Sequence, residues 1–247
     1  MKRLSATAVV SALILILCGG KEPLQSEKEK SGDKWASASV RMIRQIKAYG
    51  VKNKRVLEAM SQVRRHVYIP EEYRRYPDAY GNHPCSIGHG QTISQPFIVA
   101  YMTEKIAPEE GEKILEIGTG SGYQAAILAE MGAEVYSIEI VPELAEHARK
   151  VLESEGYENA HVLTGDGYKG WPEHSPFDAI IVTCAPEKVP QALVDQLDEG
   201  GRMIVPVGEG LQRLVILRKK KGKIEKEDDL AVRFVPMVRG SRRTEDR

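Results

Sequence analysis

The stretch Ile114-Leu115-Glu116-Ile117-Gly118-Thr119-Gly120-Ser121-Gly122-Tyr123-Gln124 constrains this chain more than any other. An apolar run closed by glycines and followed by helix formers reads as a buried strand, a tight turn and the first turn of a helix. Glycine at alternate positions (Gly118, Gly120, Gly122) lets the backbone adopt dihedrals that other residues avoid and come close to a ligand. The helix that follows would aim its unpaired N–H groups at that ligand. A second apolar run, Val135-Tyr136-Ser137-Ile138, ends in Glu139. A carboxylate at the tip of the neighbouring strand suits the two hydroxyls of a ribose, so a nucleoside ligand is expected.

The dinucleotide pattern G-x-G-x-x-G would need glycine at 123, where Tyr123 stands. The spacing is G-x-G-x-G, preceded by the acidic Glu116, and it resembles motif I of the S-adenosyl-L-methionine-dependent methyltransferases. A nucleoside without a pyrophosphate needs less of an anion cradle, so the missing third glycine is tolerable.

Around this motif, strands and helices alternate. Strands are expected at 113–117, 134–138, 160–164, 178–183 and 202–206, and helices at 122–131, 142–155 and 188–197. That alternation predicts an α/β fold with a doubly wound, mostly parallel sheet covered on both faces. Leu214–Leu217 and Val232–Val238, around a charged turn at 219–229, read as a C-terminal antiparallel hairpin. Upstream, Val40, Ile43 and Ile46 fall at helical spacing, and Val56, Leu57, Met60 and Val63 mark a second helix, together an N-terminal helical extension. Residues 68–90, rich in Pro, Tyr, Gly and His, read as a long ordered loop of the kind that often carries function. A helix with proline in its first turn follows Ser94. Gly200-Gly201 reads as the stop of the 188–197 helix.

The N-terminus is distinct. Lys2 and Arg3 precede an apolar stretch ending near Cys18, which reads as a signal-like segment over 1–18, too short for the ~18 or more apolar residues of a membrane span. Residues 19–36 are polar and charged and read as a linker. The catalytic domain is expected over 37–247. Basic and acidic residues cancel at 35 each, so no global field recruits nucleic acid, and none is expected as a partner. The cysteines Cys18, Cys85 and Cys184 lack disulfide-framework or metal-ligand spacing, so no metal is expected.

The segment Ile87-Gly88-His89-Gly90-Gln91-Thr92-Ile93-Ser94-Gln95-Pro96 resembles the signature of the protein-L-isoaspartate O-methyltransferase family. The similarity continues through motif I, Gly165-Asp166-Gly167, Phe177–Thr183, Gly200–Gly208 and Val232-Arg233-Phe234-Val235-Pro236-Met237, in the order that family shows, over roughly residues 37–240. Two departures are Cys85-Ser86, where a proline usually precedes Ile-Gly, and Cys184, where alanine is usual. The resemblance implies methyl transfer from S-adenosyl-L-methionine to the free carboxylate of L-isoaspartyl residues in damaged proteins and peptides, with repair through a succinimide. It implies cofactor binding by Glu116, Gly118, Gly120, Gly122, Glu139, Asp166 and Gly167, and substrate contact by His89, Thr92, Ile93, Val235 and Pro236. It implies a catalytic role for Ser94. The family is ordinarily cytosolic, which favours the cytoplasm narrowly over export or anchoring in the envelope, and a monomer is expected.

The chemistry fits on its own terms. A carboxylate with a pKa of ~4 is already ionised at neutral pH, so attack on a sulfonium methyl needs no general base. The site has to orient the carboxylate and exclude water. Ser94 could donate to one carboxylate oxygen while the other attacks; from local sequence alone it could equally be the N-cap of the helix at Pro96. Asp166 could accept from the adenine amino group or serve as a turn aspartate. Two other classes stay open: a methyltransferase on a small molecule or nucleic acid, and a non-catalytic cofactor-binding module. Thr183-Cys184-Ala185-Pro186 stands where a nucleic-acid amino methyltransferase would carry an Asn/Asp-Pro-Pro-aromatic motif, which counts against the first.

Overall fold

The computed structural model describes the backbone of residues 24–240 and the side chains of residues 34–240. The signal-like segment 1–18 therefore lies outside the described residues. The chain divides into Met1–Lys34 and Trp35–Arg247. Helix α1 (Leu24–Ala48) begins inside the stretch whose composition reads as a linker, so residues 24–36 are helical. Its buried face is Ala38, Met42 and Ile46, one step of four apart, while Val40, expected on that face, is 59% exposed. Among the described residues no helix is long and apolar enough to cross a membrane.

Helix α2 (Lys54–Gln62) is capped by Asn53, whose side chain accepts from Arg55 N and Val56 N, and it buries Val56, Leu57 and Met60. The stretch 68–90 is more structured than its composition suggests. Short 3-10 turns at Glu71–Tyr73 and Asp78–Tyr80 lead into β1 (Cys85–Gly88), which pairs antiparallel with β2 (Gln91–Ile93). The residues joining them, His89 and Gly90, have φ of 53° and 68°. Positive φ at both positions is the hairpin turn whose twist matches that of the strands. Helix α3 (Pro96–Ile106) follows at once.

The main sheet contains β3 (Lys113–Ile117), β4 (Glu134–Glu139), β5 (Ala160–Thr164), β6 (Phe177–Val182), β7 (Leu197–Val207), β8 (Gln212–Lys220) and β9 (Lys223–Val232). Its order is β5-β4-β3-β6-β7-β8-β9, parallel from β5 to β7 and antiparallel beyond. Helices α4 (Tyr123–Glu130), α5 (Pro142–Ser154) and α6 (Gln191–Asp195) lie in the connections. β3 is flanked by β4 on one side and β6 on the other, so the strand order reverses at its carboxyl end, where open α/β sheets bind ligands. The alternation of side chains along β3 feeds two cores: Ile114 joins the cluster with α2, α3 and α4, and Leu115 and Ile117 join the cluster on the opposite face.

Two expectations at the C-terminal side fail. Gly200 and Gly201 lie within β7, not at a helix end; α6 stops at Asp195 and the strand starts at Leu197. A bulge opposite Asp178 absorbs the glycines. Residues 219–229 are not a turn: β8 and β9 run on to a tight reversal at Lys221-Gly222. The charges that mimic a turn are cross-strand pairs on an exposed ribbon, Arg218–Glu227 at 3.3 Å and Lys220–Glu225 at 2.7 Å. Because the hairpin is complete at Val232, residues 233–238 are released from it and run to the rim of the ligand crevice.

Candidate active site

The carboxyl ends of β3, β4 and β6 open into a cavity of about 900 Å³. Its floor is the glycine turn. Gly118 has φ of 97°, and a Cβ there would lie 2.5 Å from Thr183 Oγ1. Thr183 sits just past β6, its hydroxyl 2.6 Å from the Gly118 carbonyl. Gly120 N–H donates to Glu139 Oε2 over 2.7 Å, and Val141 N–H donates to Glu139 Oε1 over 2.9 Å. The carboxylate at the tip of β4 thus holds the loop while keeping lone pairs for a further donor. Gly122, with φ of 87°, opens α4. Gly167 closes the side: a Cβ on it would lie 2.5 Å from Ile117 Cγ2.

Glu116 is fully buried beneath this loop yet reaches the cavity wall. Ser137 Oγ donates to its Oε2 over 2.5 Å, and Thr119 Oγ1 lies 2.5 Å from Ser137 Oγ. Its Oε1 has no hydrogen-bond partner among the described residues. Burial pushes the Glu116 carboxyl up to about 8, the Ser137 bond holds it down, and neighbouring Glu139 adds to the rise. Burial likewise pushes the Cys184 thiol up. Glu116, Glu139 and Glu143 line the cavity, and among the described residues no lysine or arginine does. A lining of that charge favours a cationic ligand.

The opposite wall comes from the β1–β2 hairpin and the start of α3. His89, Thr92, Ile93 and Ser94 all line the cavity. Ser94 is half-buried and is not a helix cap: the N-cap position of α3 is Gln95, without a side-chain bond, and Asn82 Oδ1 accepts from Phe97 N–H over 3.0 Å. The Ser94 carbonyl is held by the buried Arg65, whose Nη2 donates to it over 2.8 Å while Nε donates to Ala79 O over 2.8 Å. Among the described residues the Ser94 hydroxyl has no partner. The rim is completed by Phe234–Val238. This segment pairs parallel with Ala185, through Ala185 N–H to Val235 O and Met237 N–H to Ala185 O, each 2.8 Å.

The structure therefore brings Ser94, Glu116, Gly118, Gly120, Glu139, Gly167, His89, Thr92, Ile93, Val235 and Pro236 to one cavity. Asp166 stands apart. Its Oδ1 accepts from Tyr168 N–H over 2.9 Å at the start of a 3-10 turn, and it is absent from the cavity wall, as is Gly122, where a Cβ would instead meet Ala148 and Leu152 of α5. Sequence reading missed Thr119, Ser137, Thr183, Asn82 and Arg65. Ser137 alone left a trace, as a polar residue inside the apolar run of β4. Gly118 and Gly167 stand where a Cβ would strike Thr183 and Ile117, so the backbone there lies bare against the cavity, and among the described residues the unpartnered Glu116 Oε1 presents an acceptor. These features fit a nucleoside carrying a positively charged amino-acid tail.

Comparison with known proteins agrees with this geometry. The family model of protein-L-isoaspartate(D-aspartate) O-methyltransferase matches residues 37–242. A protein-L-isoaspartate O-methyltransferase of Gloeobacter violaceus is 56% identical over 197 residues, covering 79% of this chain and 95% of that protein. One from Opitutus terrae is 46% identical over 234 residues, covering 94% of this chain and 98% of its own length. Among solved structures, a Plasmodium falciparum protein carrying the same enzyme name, in complex with S-adenosyl-L-homocysteine, superposes with a TM-score of 0.73 at 27% identity, covering 84% of this chain and 99% of that one.

Proposed function

This chain belongs to the protein-L-isoaspartate(D-aspartate) O-methyltransferase family, and from that membership we infer how its cavity works. The enzyme transfers a methyl group from S-adenosyl-L-methionine to the free carboxylate of L-isoaspartyl residues in proteins and peptides. The ester formed loses methanol as the adjoining backbone nitrogen attacks it, giving the succinimide through which repair proceeds.

The cofactor, when bound, supplies a positively charged sulfonium with a transferable methyl. Glu139 would accept from the ribose hydroxyls, Gly118 and Gly120 would let the backbone approach, Gly167 closes the side of the nucleoside site, and Glu116 would face the ammonium. Asp166 supports Gly167 through its turn; its geometry favours that role over adenine contact. The observation that carries the substrate side is Ser94: a hydroxyl on the wall facing the glycine turn, without a partner among the described residues, while Asn82 caps α3 in its place. Ser94 donates to one oxygen of the substrate carboxylate and turns the other toward the methyl. No general base is required, because the nucleophile is already an anion. Thr92, Ile93 and His89 flank the substrate on the hairpin side, and Val235-Pro236 offer main chain to an extended peptide.

The test is transfer of labelled methyl to a peptide with one isoaspartate and to its aspartate twin. Labelling of the isoaspartyl peptide alone is expected; equal labelling of both, or of neither, overturns the reading. We place the activity in the cytoplasm, where S-adenosyl-L-methionine is made, and as a monomer. Cleavage near Cys18 with the mature protein outside the cytosol, found by N-terminal sequencing of fractionated cells, would overturn the location; size-exclusion chromatography checks the monomer.

A further inference from the structure

Two carboxylates adjoin one cavity at the ends of neighbouring strands, and their surroundings differ. Glu139 is met by two backbone N–H donors, from Gly120 and Val141. Glu116 is met by none among the described residues. It has one hydroxyl, Ser137 Oγ at 2.5 Å, and an Oε1 without a partner, and it is fully buried. A buried carboxylate with so few donors, beside a second carboxylate, is disfavoured as an anion. Of two neighbouring acidic groups, the one with fewer donors is the one whose charged form is disfavoured.

The hydroxyls next to Glu116 can serve either state. With a neutral carboxyl, Glu116 Oε2–H donates to Ser137 Oγ, and Ser137 donates to Thr119 Oγ1. With a carboxylate the chain reverses, Thr119 donating to Ser137 and Ser137 to Glu116. Both contacts are 2.5 Å, and both hydroxyls are buried, Ser137 at 0% and Thr119 at 3% exposure. Reversal breaks no contact, so changing the charge on Glu116 needs no rearrangement of the turn.

We propose that Glu116 is a neutral carboxylic acid in the free protein and releases its proton to solvent when the ammonium of the cofactor's amino-acid tail docks against Oε1, with the Thr119–Ser137 chain reversing to hold the new carboxylate. This rests on the reading that the cavity binds S-adenosyl-L-methionine. The balance is simple: the O–H bond of Glu116 breaks, an N–H of the ammonium donates to Oε1, and one proton leaves for the buffer. Burial already pushes this carboxyl up to about 8.

The groups facing Glu116 do not supply a competing cation. β4 contributes Ser137 and Glu139, the turn contributes Thr119, and α4 contributes Gln124. Thr183 and Cys184 follow β6, with the thiol kept neutral by burial, and Glu143 opens α5. His89, exposed on the β1–β2 turn, is the one lining residue among those described that could carry a positive charge.

Calorimetric titration of the whole chain with S-adenosyl-L-homocysteine, which carries the same ammonium, tests this. Runs at pH 6 in phosphate and in a buffer of high ionisation enthalpy give the proton count directly. About one proton released per ligand is expected, with affinity rising about tenfold per pH unit from pH 6 towards pH 8. Glu116→Gln should still bind, more weakly, without releasing a proton, and His89→Gln should leave the count unchanged. Ser137→Ala removes the donor that stabilises the carboxylate, so release should persist to higher pH. Should Glu116→Gln fail to fold, that displacement in Ser137→Ala decides the matter. Binding without proton release, release that survives Glu116→Gln or is lost in His89→Gln, or an unmoved pH profile in Ser137→Ala overturns this inference alone. Absence of binding at every pH overturns the cofactor reading beneath it.

Discussion

Asn82 Oδ1 accepts from Phe97 N–H at 3.0 Å, so a residue from the loop before β1 caps helix α3 and the hydroxyl of Ser94 is left facing the cavity. The two jobs that local sequence allowed for Ser94 are thereby separated between two residues. Ser94→Ala should lower turnover on an isoaspartyl peptide while leaving S-adenosyl-L-homocysteine affinity and the melting temperature nearly unchanged. Asn82→Ala should do the reverse, costing about 1 kcal/mol of stability through the lost cap. Peptide kinetics alongside thermal melts check both; a loss of stability in Ser94→Ala that accounts for its loss of activity would return Ser94 to a structural role.

Glu139 is built into the loop as well as aimed at the ligand. Glu139→Ala removes an acceptor for the ribose hydroxyls and leaves Gly120 N–H and Val141 N–H without their partner. Cofactor affinity should fall by roughly 1.5–3 kcal/mol, the range for hydrogen bonds to charged groups. Glu139→Gln keeps an acceptor oxygen and should recover part of that loss. Calorimetry with S-adenosyl-L-homocysteine measures it, and equal affinities for the wild type and Glu139→Ala would exclude Glu139 from the site.

Gly118 is fixed by both space and dihedral. Its φ is 97°, and a Cβ at this position would meet Thr183 Oγ1 at 2.5 Å, which leaves no room for a side chain. Gly118→Ala should cost on the order of 1–3 kcal/mol in chemical denaturation, the scale of a residue held in a sparsely populated backbone region. Adding Thr183→Ala relieves the clash but not the dihedral, so rescue should be partial.

His66 ties α1 to the segment before β1: its ring stacks on Trp35 with centroids 4.5 Å apart, and its Nδ1 lies 2.8 Å from Tyr80 Oη. Burial, aided by Arg74 and Arg64, lowers its pKa from 6.5 to about 4. The unfolded chain therefore takes up the proton first as pH falls. The stability linked to neutral His66 is fully present above pH 6.5 and drains away between there and about pH 4. Thermal melts at pH 7.5 and pH 5 should show a drop that shrinks in His66→Gln; an identical drop in both proteins would assign it to other groups.

Much of the site could be read along the chain because its contacts are local or follow strand period. Gly118, Gly120 and Gly122 fall in one turn, Glu139 ends the next strand, and Gln91 to Ser94 precede α3 directly. The contacts that escaped reading join residues far apart in sequence: Arg65 with the Ser94 carbonyl, Asn82 with Phe97, and Thr183 with Gly118. No periodicity marks such pairs, since Arg65, Asn82 and Thr183 each look alone like an ordinary polar residue in a loop or just past a strand end. The turn of the C-terminal hairpin, expected at 219–229 and found at Lys221-Gly222, has a related cause. A run of charges has the composition of a turn, and only pairing with β8 shows that alternate residues meet opposite charges across a ribbon.

Sequence by itself determined the alternating α/β plan, the glycine turn at the end of β3, the family and therefore the reaction, because backbone conformation and element type respond to local pattern. Tertiary structure decided which hydroxyl is left to meet the substrate, where residues 233–238 go once β9 has closed, and how Glu116 is solvated. Those outcomes depend on burial and on donors arriving from distant segments. The same glutamate in the same motif would be an ordinary ionised carboxylate if backbone N–H groups met it as they meet Glu139.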